Sequence, residues 1–188
     1  AGHTIINNYG KFALHQLPSG VFSQRVTNII GNGVALNVDK LLEEIREVTD
    51  RGVPRPKLLV SDRVQIVMPY HILFDQYEEE RLGKESFGST KSGIAPFYSD
   101  KFSKIGFELC EFYGDDEAIR EKLARVLMQK NALLRGLYQK PELTVDELFE
   151  KIVAWREAMK PYVADTFTYL QQAIREQKTI LLEGQLGA

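Results

Sequence analysis

The sequence predicts an α/β protein with a partly parallel central sheet, N-terminal hairpin strands and a helical subdomain. Short runs rich in β-branched and apolar residues, such as 26–30 and 58–61, alternate with segments of amphipathic helical spacing. Strands that alternate with helices favour parallel pairing under a helical cover. The chain has 188 residues, of which 44% are hydrophobic and 27% charged, so it can bury a core of its own.

Residues 1–114 form the part that is predicted to be rich in strands. A Tyr9-Gly10 turn between two extended runs predicts a hairpin. Strands are predicted at 4–8, 11–17, 26–30, 34–38, 58–61 and 64–68, with a brief extended piece at 107–113. Helices are predicted from Asp39 as N-cap to about Arg51, from Pro69 to about Leu82, and over 97–104.

Residues 115–178 are predicted to form a helical subdomain of three helices. The first ends at Pro141, a Thr144–Glu147 capping box begins the second, and Pro161 opens the third. The third helix is expected to turn Val163, Phe167, Leu170 and Ile174 inward. Residues 179–188 predict a buried core strand and then a ligand-side turn, because ligands of open α/β sheets lie beyond the strands' carboxyl ends.

Composition excludes several classes of protein. A formal net charge of -2 argues against a nucleic-acid-binding protein, since such domains carry clustered excess Lys and Arg. Cys110 is the only cysteine, which excludes a disulfide framework and favours a reducing, cytoplasmic setting. No apolar run approaches the length needed to span a membrane.

The stretch Gly88–Pro96 is a candidate phosphate-binding loop. It holds two glycines, three hydroxyl residues and a lysine just before a predicted helix, so backbone N–H groups, hydroxyls and the helix N-terminus could cradle an anion. It fits neither G-x-x-x-x-G-K-[ST] nor G-x-G-x-x-G. A solvated, flexible Gly/Ser loop is the alternative that composition leaves open.

The three histidines offer no metal-binding spacing. H-x-x-x-H and H-E-x-x-H patterns are absent, so a histidine metal site is not predicted. His15, within a predicted strand, and His71, at the start of a predicted helix, are expected to be hydrogen-bonded structural residues. His3 precedes the first strand and has no role that its own neighbours indicate.

Ordered blocks of the sequence resemble the adenylosuccinate synthetase family. The blocks include Ala1-Gly2-His3-Thr4-Ile5, Leu17-Pro18-Ser19-Gly20-Val21-Phe22, Ile30-Gly31-Asn32-Gly33-Val34, Pro69-Tyr70-His71 with Asp75-Gln76, the loop 88–96 with Tyr98 and Asp100-Lys101, and Glu183-Gly184. Each block is short, but their order and spacing agree along all 188 residues. The resemblance implies a ligase that joins L-aspartate to inosine monophosphate (IMP), with GTP as co-substrate and Mg²⁺, in a homodimer.

The resemblance also implies roles for particular residues. His3 would be the general acid at the purine 6-oxygen, and Gly2-His3-Thr4 would line the GTP phosphate site. The backbone carbonyl of Gly2 would bind magnesium, and Ala1, Gly2 and His3 would border the IMP. Thr90 would contact the IMP phosphate. Lys104 would reach the partner subunit's IMP, and Gln185 would contact IMP.

Three positions depart from the family pattern. Lys104 and Ser92 stand where arginines are typical, and Leu186 stands at the IMP-contacting glutamine position, with Gln185 one place earlier. Lysine keeps the charge but loses the bidentate fork of arginine. We expect a loop shift that gives Gln185 the glutamine's role, in a divergent branch of the family.

The family's catalytic phosphate loop is expected upstream of Ala1, and its guanine- and aspartate-binding parts downstream of Ala188. We therefore expect 1–188 to be a single central fragment of a larger, P-loop-NTPase-like α/β domain, inactive by itself. Two alternatives stay open: a non-catalytic helical interaction module, and a phosphate-binding domain without ligase chemistry. Titration with IMP distinguishes the interaction module from the ligase, and a His3→Asn variant distinguishes the phosphate-binding domain from the ligase.

Overall fold

The computed structural model describes residues 2–86 and 88–184, and it has the predicted mixed α/β architecture with a parallel sheet. The chain divides into two compact units. Unit 1 comprises residues 2–64 and 158–184, and unit 2 comprises 65–157 without residue 87. Ala1 and 185–188, including Gln185 and the last part of the predicted ligand-side turn, lie outside the described residues.

Unit 1 begins with the predicted hairpin. Strands β1 (His3–Asn7) and β2 (Gly10–Leu14) pair antiparallel, with His3 opposite Leu14. The two-residue turn is Asn8–Tyr9 rather than the predicted Tyr9-Gly10. Gly10 is the first residue of β2 and has φ +119°, a conformation that suits glycine. Alternation places Phe12 and Leu14 in the core.

A three-stranded parallel sheet forms the centre of unit 1. Its strands are β3 (Thr27–Ile30), β5 (Lys57–Ser61) and β7 (Val163–Ala164), in the order β3-β5-β7. Between β3 and β5 the chain forms β4 (Ala35–Leu36) and helix α1 (Val38–Asp50). Helix α6 (Thr166–Arg175) follows β7.

Unit 2 is mainly helical. It contains β6 (Gln65–Ile66), α2 (Pro69–Leu82), α3 (Ile94–Phe102), α4 (Asp116–Leu133) and most of α5 (Val145–Met159). Pro69 opens α2 as predicted, because proline lacks only an N–H that the first turn leaves unused. No helix in residues 2–86 and 88–184 is long and apolar enough to cross a membrane.

Several local predictions were wrong at their boundaries. Asn37, not Asp39, caps α1, because its side-chain oxygen accepts from the Lys40 amide at 3.0 Å. Helix α3 begins at Ile94 rather than residue 97, so Pro96 lies within its first turn. The extended piece predicted at 107–113 contains a 3₁₀ helix, Leu109–Tyr113.

The end of the predicted helical run was also wrong. The α-helical geometry of α4 ends at Leu133, and the chain then forms a π-helical turn, Leu134–Tyr138, before Pro141. Residues Val163–Ala164 form β7 instead of a helix, because Val60 and Ser61 provide parallel backbone partners for them. Asp165 then caps α6, whose Phe167 and Ile174 are exposed rather than buried.

The predicted buried strand at 179–183 is absent. The described residues 179–184 carry no strand, and Leu181 and Leu182 are 84% and 89% exposed. An apolar run becomes a strand only where a neighbouring strand accepts its backbone hydrogen bonds. None of the described residues forms a strand that pairs with 179–184.

Candidate functional site

The site residues predicted in unit 1 lie at the first strand. Gly2 precedes β1, and His3 and Thr4 open it, so the sheet register fixes their backbone. His3 is partly buried and its Nδ1 lies 3.3 Å from Glu183 Oε1. A carboxylate at Nδ1 fixes the orientation of an imidazole, an arrangement typical of histidines that transfer protons.

Glu183 is itself held in place. Its Oε2 accepts hydrogen bonds from the Ser19 backbone N–H at 3.0 Å and from Ser19 Oγ at 2.7 Å. Partial burial opposes ionisation, but the Ser19 hydrogen bonds and the nearby His3 hold the pKa of Glu183 below its ordinary value. The result is an ionised carboxylate between Ser19 and His3. Ser19 and Glu183 both lie in family-like blocks of the sequence, but no local pattern predicted a role for either.

The turn before Ser19 is shaped by Glu44 on α1. This buried carboxylate accepts from the backbone amides of His15, Gln16 and Leu17 at 2.7, 2.9 and 2.9 Å. His15 also places Nδ1 3.4 Å from Glu44 Oε1, in agreement with the predicted structural role. Glu44 therefore fixes the segment that leads from β2 to Ser19.

Magnesium was predicted at the Gly2 carbonyl. Protein magnesium sites use one or two carboxylates together with substrate phosphates. Within the described ranges, no group of three or more His, Cys, Asp or Glu side chains is arranged to hold a metal ion. The side chains of the described residues therefore do not form a magnesium site by themselves. Magnesium binding by the Gly2 carbonyl stays a prediction.

The candidate phosphate loop lies in unit 2, between α2 and α3. Asp75 on α2 accepts from Ser89 Oγ at 2.5 Å and from the Gly93 amide at 2.8 Å. Glu79, one turn later, accepts from the Gly88 amide at 3.0 Å. The loop is therefore an ordered element built on α2.

The apex of the loop carries the predicted phosphate contact. Thr90 and Ser92 are exposed and their hydroxyl oxygens lie 2.6 Å apart. Lys91 between them has φ +55° and is also exposed. Two hydroxyls and an ammonium group on an ordered turn suit a phosphate dianion.

Behind the loop, a buried network joins three helices of unit 2. His71 Nδ1 accepts from the Met68 amide at 3.0 Å, so Nε2 carries the proton and donates to Asp100 Oδ2 at 2.9 Å. Lys130 Nζ lies 2.5 Å from Asp100 Oδ1. Burial lowers the pKa of His71. The pKa of Asp100 is also lowered, since hydrogen bonds from His71 and Lys130 outweigh its desolvation. The structural role predicted for His71 fits this arrangement.

Lys104 follows α3 in a left-handed conformation, φ +60°. It is exposed, and it borders a cavity of about 360 Å³ together with Lys101, Lys122 and Glu111. Lys122 is engaged there, because its ammonium donates to Glu111 at 2.6 Å and to the Gly106 carbonyl at 2.7 Å. The contact of Lys104 with a partner subunit stays a prediction.

The structure thus groups the predicted residues into two local sets. His3 lies with Glu183 and Ser19 in unit 1, whereas Thr90 and Lys104 belong to unit 2. Asp75 was part of a family-like sequence block but had no predicted role, and Glu79 was not predicted at all. Their i, i+4 spacing on a predicted helix just before a glycine-rich loop was the available signal.

Comparison with known proteins gives the family. A family model described as adenylosuccinate synthetase matches residues 1–188. Adenylosuccinate synthetase from Dehalococcoides mccartyi is 41% identical over 191 residues, which cover 100% of this chain and 44% of the relative. The relative from Acetivibrio thermocellus is 40% identical, over 98% of this chain and 43% of its own length.

A solved structure agrees. Fully ligated adenylosuccinate synthetase from Plasmodium falciparum superposes with a TM-score of 0.77 at 28% identity, covering 95% of this chain and 41% of that one. The chain therefore spans less than half the length of the proteins it matches. On the match over all its residues, the chain belongs to the adenylosuccinate synthetase family.

Proposed function

We propose that the complete protein ligates L-aspartate to IMP with GTP as the phosphoryl donor, giving adenylosuccinate, GDP and phosphate. The observation that carries this proposal is the family match along the whole chain. The reaction first phosphorylates the 6-oxygen of IMP, and the aspartate amine then displaces phosphate. A purine 6-oxygen is a poor leaving group until it is phosphorylated, so both steps need stabilisation of charge at that atom.

His3 is the proposed proton donor at the 6-oxygen. The Ser19–Glu183 pair supports this role, because it holds an ionised carboxylate against Nδ1 and so orients the imidazole ring. Gly2 and Thr4 flank His3 and are proposed to border the GTP phosphates. Ala1 and Gln185, proposed to contact IMP, lie outside the described residues.

Thr90 is the proposed ligand of the IMP phosphate, supported by its place on the exposed apex of an ordered loop. We also propose a homodimer in which Lys104 reaches the partner's IMP. In support, Phe102 is 77% exposed on α3, two residues from Lys104, and stacks on Tyr98. Aromatic side chains are enriched at protein–protein interfaces relative to the rest of the surface.

Phosphate release by the complete gene product, supplied with IMP, GTP and aspartate, tests the proposal. A His3→Asn variant should lose about 10²–10⁴-fold in kcat, the usual contribution of a general acid, with KM for IMP changed only a few-fold. His15→Asn is the matched control and should keep its activity. Phosphate release that does not require all three substrates, or a fully active His3→Asn variant, would overturn the proposal. IMP binding without turnover would favour a phosphate-binding domain.

A further inference from the structure

We propose that Asp75 is a positioning residue, which holds the loop 88–93 in the shape that presents Thr90 to the phosphate of the nucleotide. This inference deepens the proposed function and depends on it for the identity of the ligand. Asp75 is 7% exposed and faces the loop from α2, so its carboxylate acts on loop atoms rather than on solvent.

The two oxygens of Asp75 hold both ends of the turn. Oδ1 accepts from the Ser89 hydroxyl and Oδ2 accepts from the buried Gly93 amide. The Ser89 oxygen in turn accepts from the Lys91 amide at 3.1 Å. A single carboxylate therefore fixes the start and the end of the segment whose apex is Thr90.

Sterics at Gly93 reinforce this geometry. Gly93 has φ +79°, and a Cβ placed there would lie 2.8 Å from backbone atoms of His71 and Ile72. The end of the loop is thus packed directly on the first turn of α2. Asp75 lies one turn further along the same helix and holds the amide of this close-packed glycine.

Charge alone predicts the opposite effect of Asp75. A carboxylate near a phosphate dianion repels it, so removal of the charge without any change of shape would tighten nucleotide binding. A positioning role predicts weaker binding, because the apparent affinity falls with the fraction of molecules whose loop is in the competent shape. The sign of the change separates the two roles.

The variants Asp75→Ala and Asp75→Asn in the complete gene product test the inference. The alanine variant loses both hydrogen bonds, so KM for IMP should rise about 10-fold or more while kcat changes less than about 3-fold. Asparagine can accept from the Gly93 amide and donate to Ser89 Oγ, so it should restore KM to within about 3-fold of the wild type. Glu78→Ala, on the same helix but paired with Arg81 and Tyr138, is the matched control.

Hydrogen–deuterium exchange of residues 88–93 provides a readout independent of turnover. The Gly93 amide should lose protection in Asp75→Ala and keep it in Asp75→Asn. If Asp75→Ala does not fold, Ser89→Ala removes one of the two bonds and should raise KM for IMP a few-fold. Unchanged or lower KM in the alanine variant, or equal KM in the alanine and asparagine variants, would overturn the inference. If the two variants show the expected exchange at Gly93 but the wild-type protein has no IMP-dependent turnover, the proposed function is wrong and the positioning of the loop by Asp75 is not.

Discussion

Removal of one partner of the buried Asp100–Lys130 pair should strongly destabilise the protein. The Lys130 and Asp100 side chains are 8% and 4% exposed, and their charged atoms lie 2.5 Å apart. Removing one partner of a buried ion pair costs about 3–5 kcal/mol, because the other charge stays buried without its counter-ion. His71 still donates to Asp100, so the free energy of unfolding should fall by about 3 kcal/mol in Lys130→Met.

Urea unfolding followed by fluorescence measures this loss. Trp155 is the only tryptophan, and it stacks on Phe112 within unit 2, at 6.2 Å between ring centroids. The double variant Lys130→Met, Asp100→Asn removes both charges and should recover about 2 kcal/mol of the loss. Arg125→Met breaks an exposed pair with Glu121 and should change stability by less than about 0.5 kcal/mol. The reasoning would be refuted if the free energy of unfolding of Lys130→Met lay within about 1 kcal/mol of the wild-type value. It would also be refuted if the double variant were no more stable than Lys130→Met.

Three further predictions concern stability. Burial lowers the pKa of His71 below its ordinary 6.5. Below pH 6.5 the unfolded chain therefore binds more protons at His71 than the folded protein does. Its contribution to stability should therefore be complete above pH 6.5 and be lost as pH falls through the folded-state pKa; unfolding at pH 7.5, 6.5 and 5.5 should show a flatter profile in His71→Asn. Gly93→Ala should cost more than about 2 kcal/mol, whereas Gly88→Ala, with φ +72° but open space, should cost about 1 kcal/mol, as compared by urea midpoints. Glu44→Ala leaves three backbone amides without their carboxylate and should lower the thermal midpoint by more than about 8 °C; a shift under about 3 °C would contradict that role.

Elements decided by local sequence were predictable. A hairpin and the helix that Pro69 opens both formed as predicted, because turn chemistry and helix N-terminus chemistry act within a few residues. The turn itself is one residue earlier than predicted, at Asn8–Tyr9. The ordered motif blocks identified the family, and the family match over residues 1–188 confirmed it.

Elements decided by distant partners were not predictable. The local preferences of residues 163–164 conflict, since Val163 favours a strand and Ala164 a helix, and they became β7 because β5 lies beside them. The apolar run at 179–183 has the composition of a core strand, yet the described structure gives it no strand partner, and it stays exposed. Strand pairing depends on which backbone is adjacent, and periodicity carries no information about that.

The sequence alone determined the α/β class, the family and the identity of the candidate residues, because composition, periodicity and motif order are written along the chain. Only the tertiary structure decided that Glu183 lies against His3, and that Asp75 holds Ser89 and Gly93. Such contacts join residues that are far apart in the sequence and become neighbours only in the folded chain. Their geometry is set by packing, which no local pattern of residues encodes.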